Sequence, residues 1–301
     1  MRTGAAVLAL DVGGTKLAAG IVDATTADVR RSLRAPTPTG GAEASIATMI
    51  ALARELLEHE SAGMIGVSFG GPVHQDGRTV RRSMHIAGWD DLPLADRLAR
   101  ELGLSAAVAN DGDAAALGEA RFGAGRGVRN LVYVTVSTGI GGGIVLDGRL
   151  YRGERAWAGE IGHLVLDPSG PVCSCGRLGC LEALASGTAI AREARRRSMP
   201  ADSTAREVAQ AAADGDVTAA EIWAGAMDWL GLGIASAANL LDPGRVVLGG
   251  GLTDAGAQLF DPVRETVAVR ALDPELEVVP TALGTSVGLV GAAAVAIAAA
   301  G

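Results

Sequence analysis

Ala6-Val7-Leu8-Ala9-Leu10-Asp11-Val12-Gly13-Gly14-Thr15-Lys16-Leu17-Ala18-Ala19-Gly20-Ile21-Val22 decides how this chain folds. The apolar run from Ala6 to Leu10 reads as a buried strand, and Leu17 to Val22 as a second one. Between them the chain meets an acid and turns on two glycines. Glycines in such a turn let backbone N–H groups approach phosphate oxygens without side-chain obstruction. Thr15 adds a hydroxyl donor, Lys16 adds a cation, and Asp11 at the strand end is suited to hold Mg2+ directly or through water. A plain Gly-Gly hairpin accounts for the turn but not for that company. Lys16 is also the only lysine in the chain, where every other strong cation is arginine.

Working outward, Arg30 to Ala35 reads as a third strand, completing an antiparallel start. Ala42 to Glu60 carries Ile46, Met49, Ile50, Ala53, Leu56 and Leu57 at helical spacing. Met64 to Ser68 is a short buried strand that ends in Phe69-Gly70-Gly71-Pro72. A helix over Leu92 to Leu102, a strand over Ala106 to Ala109 and a helix over Asp111 to Arg121 follow. Strands paired with helices in this way predict an α/β protein.

The opening pattern then recurs. A strand, Leu131 to Ser137, runs into Thr138-Gly139-Ile140-Gly141-Gly142-Gly143, and a second strand follows over Ile144 to Leu146. This imperfect duplication predicts two related lobes, each with its own phosphate loop. Gly187 to Leu240 reads as mostly helical. A strand over Arg245 to Leu248 enters Gly249-Gly250-Gly251, which is either a third nucleotide contact or a helix-entry turn. A final helix, Thr285 to Ala300, is expected to pack back on the first lobe.

The chain has 301 residues, 49% of them hydrophobic, enough for two cores. A formal net charge of −8 argues against sequence-independent nucleic-acid binding. Met1 to Gly4 shows no signal-peptide layout, and the most apolar stretch, Ser286 to Ala300, is short for a membrane span. The three cysteines sit in one cluster with no framework of spaced pairs, so a soluble cytoplasmic protein is expected.

Two further segments carry chemistry. In Ala109-Asn110-Asp111-Gly112-Asp113 a strand gives way to a helix, where a carboxylate can project into a cleft and accept a proton from an alcohol. The same residues suit an N-cap, Asp113 included. The second segment joins Glu160-Ile161-Gly162-His163 to Cys173-Ser174-Cys175-Gly176-Arg177-Leu178-Gly179-Cys180, with Glu182 beyond it. Three thiols and one imidazole, His163, Cys173, Cys175 and Cys180, make a tetrahedral zinc set. Four protein ligands leave no open position, so such a metal is structural. Three reduced thiols without metal are the alternative. His59 reads as a solvated helix end and His74 as a loop residue.

Together these segments resemble the repressor–ORF–kinase (ROK) family of sugar kinases, which includes glucokinases and N-acetylmannosamine kinases. The likeness runs nearly end to end: Asp11 to Lys16, Thr138 to Gly143, Glu160 to His163, and Cys173 to Glu182. It implies an actin-like, ribonuclease-H-like α/β fold of two lobes with an interlobe cleft. The expected small lobe is 1–112 plus 285–301, and the large lobe is 113–284 with its zinc segment at 160–182.

By the same resemblance, the chain transfers phosphate from MgATP to the 6-hydroxyl of a hexose, with Asp111 as general base. Gly71, His85, Asn110, Asp111, Glu160, His163 and Glu182 would bind the sugar. Asp11, Gly13, Gly14, Thr15, Lys16, Thr138, Gly139 and Gly250 would bind ATP and its phosphates. His163 would give one nitrogen to zinc and turn the other to the sugar. A homodimer is also implied. The alternatives are an N-acetylmannosamine kinase and a non-catalytic sugar sensor. The family's repressors carry a DNA-binding segment before the phosphate motif, which here begins at Asp11.

One departure stands out in Ser83-Met84-His85-Ile86-Ala87-Gly88-Trp89. Hexokinases of the family usually have Asn where this chain has His85. An imidazole nitrogen engages one partner each, so recognition at C3 of the sugar would change. A neutral imidazole could accept from a 3-amino group, which points to an amino-hexose such as kanosamine. The other reading is a tolerated substitution with glucose activity unchanged. Ser68-Phe69-Gly70-Gly71 also departs from the usual Gly-Pro-Gly form.

Overall fold

The computed structural model describes residues 6–83 and 86–301. The reading of His85 lies outside them.

The opening stretch forms β1 (Ala6–Val12) and β2 (Lys16–Asp23), followed by β3 (Val29–Pro36) and α1 (Gly41–Leu57). Next come β4 (Met64–Phe69), α2 (Leu94–Leu102), β5 (Ala106–Asn110) and α3 (Asp111–Phe122). The second half begins with β6 (Leu131–Val136), β7 (Ile140–Leu146) and β8 (Arg149–Leu150). Then follow α4 (Leu181–Ala185), α5 (Gly187–Arg196), α6 (Ala205–Ala213) and α7 (Val217–Leu241). The chain closes with β9 (Arg245–Gly249), α8 (Ala257–Arg270), β10 (Val278–Pro280) and α9 (Val287–Ala299).

The duplication expected from the glycine loops is realised in the topology. One sheet has the order β3-β2-β1-β4-β5. The other, read from its far edge, has β8-β7-β6-β9-β10, the same arrangement built a second time. In the first sheet β1, β4 and β5 are parallel, and in the second β6, β9 and β10 are parallel. Their carboxyl ends are where ligands of open α/β sheets bind.

The chain divides into two compact units. The first is the stretch ending at Gly127 with Gly143–Ala158 and Ala282–Gly301; the second is Val128–Gly142 with Gly159–Thr281.

In the first unit β1 alternates its side chains between two layers, as a strand must. Leu8 and Leu10 join Ile46, Met49 and Leu56 of α1 in one core. Val7 and Ala9 face the other way, onto Leu289, Ala293 and Ile297 of α9. A Cβ on Gly66 would stand 1.8 Å from the Ala292 carbonyl, so α9 rests backbone-on-backbone against β4. This explains why α9 is built largely of Ala and Gly: larger residues on that face would lift it off the sheet.

One expectation is corrected. Gly141, Gly142 and Gly143 do not belong to a loop but to β7. A Cβ on Gly142 would meet the Tyr133 carbonyl at 2.7 Å, and one on Gly143 the Gly112 carbonyl at 2.5 Å. These glycines answer close backbone approach rather than a turn.

The core of the second unit gathers around α7, with Trp223, Met227, Leu230 and Ile234 buried against Leu259 and Val263 of α8. Helix α8 contains Pro262, which lacks the N–H that would bond the carbonyl four residues back, at Gln258. The Trp223 indole N–H donates to that carbonyl at 3.0 Å instead. Trp223→Phe is therefore expected to cost about 1–3 kcal/mol, the range for orphaning a buried polar group. Urea unfolding of the single variant, and of a double variant with Pro262→Ala, checks it: the second change should recover part of the loss.

Among the described residues no helix is long and apolar enough to cross a membrane.

Candidate active site

The site residues of the first unit hang from the carboxyl ends of β1, β4 and β5. The β1–β2 turn is tight: Gly13 N–H donates to the Lys16 carbonyl at 3.1 Å, and Thr37 Oγ1 donates to the Gly13 carbonyl at 2.8 Å. Gly14, Thr15 and Lys16 are left exposed. With the Gly13 N–H committed to the hairpin, the amides after it are the ones a phosphate could meet.

Asp11 precedes the turn. Its Oδ1 accepts from Ser68 Oγ at 2.9 Å, across the β1–β4 pairing that sets the two residues side by side. A Cβ on Gly288, in the first turn of α9, would come within 2.4 Å of the carboxylate, so the group lies against that helix start. Burial pushes the Asp11 carboxyl above the ordinary range, against the Ser68 hydrogen bond and the charges of Lys16 and Arg34.

The sign of the stability effect follows. A raised folded-state pKa favours the protonated form, so stability is fully present below the unfolded value and is lost as pH rises through the folded one. Asn keeps an acceptor for Ser68 and carries no charge. Asp11→Asn is expected to raise the melting temperature of the ligand-free protein at pH 8, with the gain shrinking as pH falls. Thermal melts across pH check this; equal melting temperatures at pH 8 would contradict it.

Gly70 N–H donates to the Val12 carbonyl at 2.8 Å, joining the ends of β4 and β1. Gly13 Cα and Asp111 Oδ2 both lie within 4 Å of the point where a Cβ on Gly70 would stand. The β1–β2 turn and the Asp111 carboxylate thus share one small neighbour. The N-cap of α3 is Asn110, whose Oδ1 accepts from Gly112 N–H at 2.9 Å while its Nδ2 donates to the Gly71 carbonyl at 3.1 Å. Asp111 Oδ1 shares that Gly112 N–H at 2.9 Å, and the residue is exposed. Asp113 is no cap: it is buried, with Arg152 Nε 3.7 Å away.

In the second unit the loop after β6 carries Thr138 and Gly139. It docks on the start of α5: the Ser137 carbonyl accepts from Gly187 N–H at 2.8 Å, and the Thr138 carbonyl from Thr188 Oγ1 at 2.8 Å. The loop after β9 lies beside it. Gly250 has φ +90, and a Cβ there would stand 2.4 Å from the Val136 carbonyl, so only glycine fits. Gly250 also opens a 3-10 turn over Gly251–Ala255, so the helix-entry reading of this run holds for its backbone.

His163 ends a short 3-10 turn, Ile161–His163. Cys173 N–H donates to the Arg177 carbonyl and Gly176 N–H to the Cys173 carbonyl, folding the cysteine run into a knuckle. His163 Nδ1 lies 3.6 Å from Cys173 Sγ, and Cys175 Sγ lies 3.7 Å from Cys180 Sγ. A tetrahedral zinc, with bonds of about 2.3 Å to sulfur and about 2.0 Å to nitrogen, sets edges of about 3.8 Å and about 3.5 Å. All four donor atoms lie within 4.8 Å of one another, so the residues fit such an ion. The Arg177 backbone N–H lowers the Cys175 thiol, while burial pushes Cys180 up.

Glu182 links the knuckle to the loop after β6. Its Oε1 accepts from Ser174 Oγ at 2.8 Å and its Oε2 from Ile140 N–H at 3.1 Å. Glu160 is half-buried. Burial raises its pKa, with Glu182 adding to the effect and His163 opposing it.

The predicted residues thus gather into two constellations, one in each unit. Sequence reasoning missed Ser68, Ser174 and Gly288. Ser68 alone carried a signal, as a hydroxyl closing an otherwise apolar strand. His74, read as a loop residue, is one, with Nε2 2.6 Å from Asp91 Oδ1.

Comparison with known proteins follows the same outline. The model of the ROK family matches residues 7–299. A glucokinase from Streptomyces coelicolor is 34% identical over 306 residues, covering 95% of this chain and 96% of the relative. An N-acetylmannosamine kinase from Yersinia pseudotuberculosis is 37% identical over 246 residues, covering 81% and 82%. Among solved structures, a ROK hexokinase from Thermus thermophilus has a TM-score of 0.86 at 36% identity, covering 98% of this chain and 99% of that one. A ROK family glucokinase from Streptomyces griseus, in complex with glucose and AMPPNP, has a TM-score of 0.83 at 33% identity, covering 97% and 99%.

Proposed function

The chain belongs to the ROK family and is an ATP-dependent hexose kinase of actin-like fold, and from that premise we propose that Asp111 is its general base. The observation that carries this is the Asp111 carboxylate at the start of α3, next to Gly70 and so to the phosphate turn. Asp111 takes the proton from the sugar's 6-hydroxyl as that oxygen attacks the γ-phosphate in line. Such transfers rely on positioning and charge neutralisation rather than on covalent help from the protein.

Thr15, Lys16, Thr138, Gly139 and Gly250, with Gly13 and Gly14, hold the donor. Asp11 would hold the Mg2+ that comes with ATP, whose charge offsets that of the phosphates. Asn110, with one amide proton on Gly71, has a second to offer a ring hydroxyl. Glu160, Glu182 and His163 Nε2 hold the C1–C2 side of the ring. The proposed zinc would be held by His163 Nδ1, Cys173, Cys175 and Cys180, fixing the tautomer so that Nε2 faces the sugar.

His85 supports a finer reading in which the acceptor is an amino-hexose such as kanosamine. The similarity to an N-acetylmannosamine kinase keeps that substrate as a second reading. We also take the protein to be a homodimer, as the family resemblance implies, and cytoplasmic, where ATP and reduced thiols coexist.

A coupled ADP-release assay over glucose, mannose, glucosamine, N-acetylmannosamine and kanosamine, with 6-deoxyglucose as control, tests these statements. Hexoses with a free 6-hydroxyl should turn over and 6-deoxyglucose should not. A far larger kcat/KM for glucose than for kanosamine would remove the amino-hexose reading.

A further inference from the structure

A carboxylate outside both constellations ties down the chain near two of the points where it passes between the units. Glu119, near the end of α3, is fully buried. Its Oε2 accepts from Ala124 N–H at 2.7 Å and from Ala282 N–H at 3.3 Å, and its Oε1 from Leu283 N–H at 3.2 Å. Ala124 lies just before the chain leaves the first unit after Gly127, and Ala282 is where it returns. One side chain therefore binds one of the two outgoing segments and one of the two returning ones.

The two helices behind it form a single block. A Cβ on Gly291 of α9 would stand 2.6 Å from the Ala114 carbonyl of α3, and one on Gly118 would stand 3.1 Å from Gly291 Cα. Helix α3 starts at Asp111, and α9 starts against Asp11. The place of Gly123 is shaped to the same carboxylate, since a Cβ there would fall 2.1 Å from Glu119 Oε2. Hydrophobic packing alone would not call for a buried carboxyl group here. Burying one is costly unless it is well hydrogen-bonded, as three backbone donors arrange.

We infer that Glu119 is a positioning residue of the kinase: its carboxylate clamps the connections at Ala124 and Ala282–Leu283 to the α3–α9 block that carries Asp111 and backs Asp11. The clamp fixes the far end of the α3–α9 block, and so the placing of the Asp111 carboxylate at one helix start against Asp11 at the other, all within the first unit. The inference rests on the reading of Asp111 and Asp11 given above.

Glu119→Gln is close in shape but replaces one acceptor oxygen with an amide that faces N–H donors. Hydrogen exchange of the ligand-free variant should show the Ala124, Ala282 and Leu283 amides exchanging at least tenfold faster. At a temperature where its circular dichroism matches the parent, kcat should fall at least tenfold, with the Kd for the hexose changed less than threefold. Faster exchange with unchanged kcat would overturn the inference, leaving the carboxylate a merely structural group. Unchanged exchange would overturn the clamp itself.

If Glu119→Gln does not fold, Gly123→Ala takes its place, since it displaces the carboxyl group without removing it, and the same outcomes apply. The exchange readout is independent of which residue is the base. Retained turnover in Asp111→Asn would sink the base assignment and leave the clamp measurement standing.

Discussion

Replacing Asp111 by Asn lowers kcat by about 10²–10⁴-fold, the span attributed to a positioned general base, while the hexose continues to bind. Asn keeps the shape and retains an oxygen for the Gly112 N–H that Asp111 now shares with Asn110, so the start of α3 survives. What it loses is the ability to take a proton. Calorimetric titration of the hexose should give a Kd near that of the parent, and ADP release should fall to background. Turnover within tenfold of the parent would show that another group, or water, removes the proton.

The second large effect is at the cysteine knuckle. Cys180→Ser removes a fully buried donor from the four-atom cluster, and the purified variant is expected to lack the zinc proposed for the parent. Metal binding and folding are coupled at such sites. His163 would then lose its anchor. Glu182, held through Ser174 and Ile140, would lose one of its supports. The hexose KM should therefore rise at least tenfold, with a smaller change in the KM for ATP. A chelator followed by excess Mg2+ should reproduce the phenotype without mutation. Metal analysis showing no zinc in a protein of full hexose affinity would remove the structural-metal reading.

The parts of the fold that could be read from sequence were those whose apolar residues run unbroken or recur within one element. β1 and α1 are such cases: the run from Ala6 to Leu10, buried on both faces, and Ile46 and Met49 at helical spacing declare themselves locally. The parts that could not be read depend on distant neighbours. Gly141 to Gly143 looked like a loop because a glycine chosen for a turn and one chosen for a nearby backbone are the same letter. Helix α8 was not expected at all, since Pro262 interrupts its pattern and the Trp223 indole that compensates lies in another helix.

The site divides the same way. Asp11, Asp111, Glu160, His163 and the cysteines stand in dense local motifs, and the chemistry proposed for them could be read from those letters. Ser68 beside Asp11, Gly288 behind it and Glu119 bound to Ala124, Ala282 and Leu283 are products of the tertiary fold.

The way the first unit is assembled also bears on how the molecule is made. Its sheet lacks one covering layer until α9 arrives, and α9 is supplied after the whole of the second unit has been threaded. During synthesis domains tend to fold as they emerge. The nascent first sheet therefore emerges with Val7, Ala9 and Gly66 uncovered, and that face is closed only when α9 follows. A stall between Thr281 and Val287 would release a protein half complete and sticky, and a good client for chaperones.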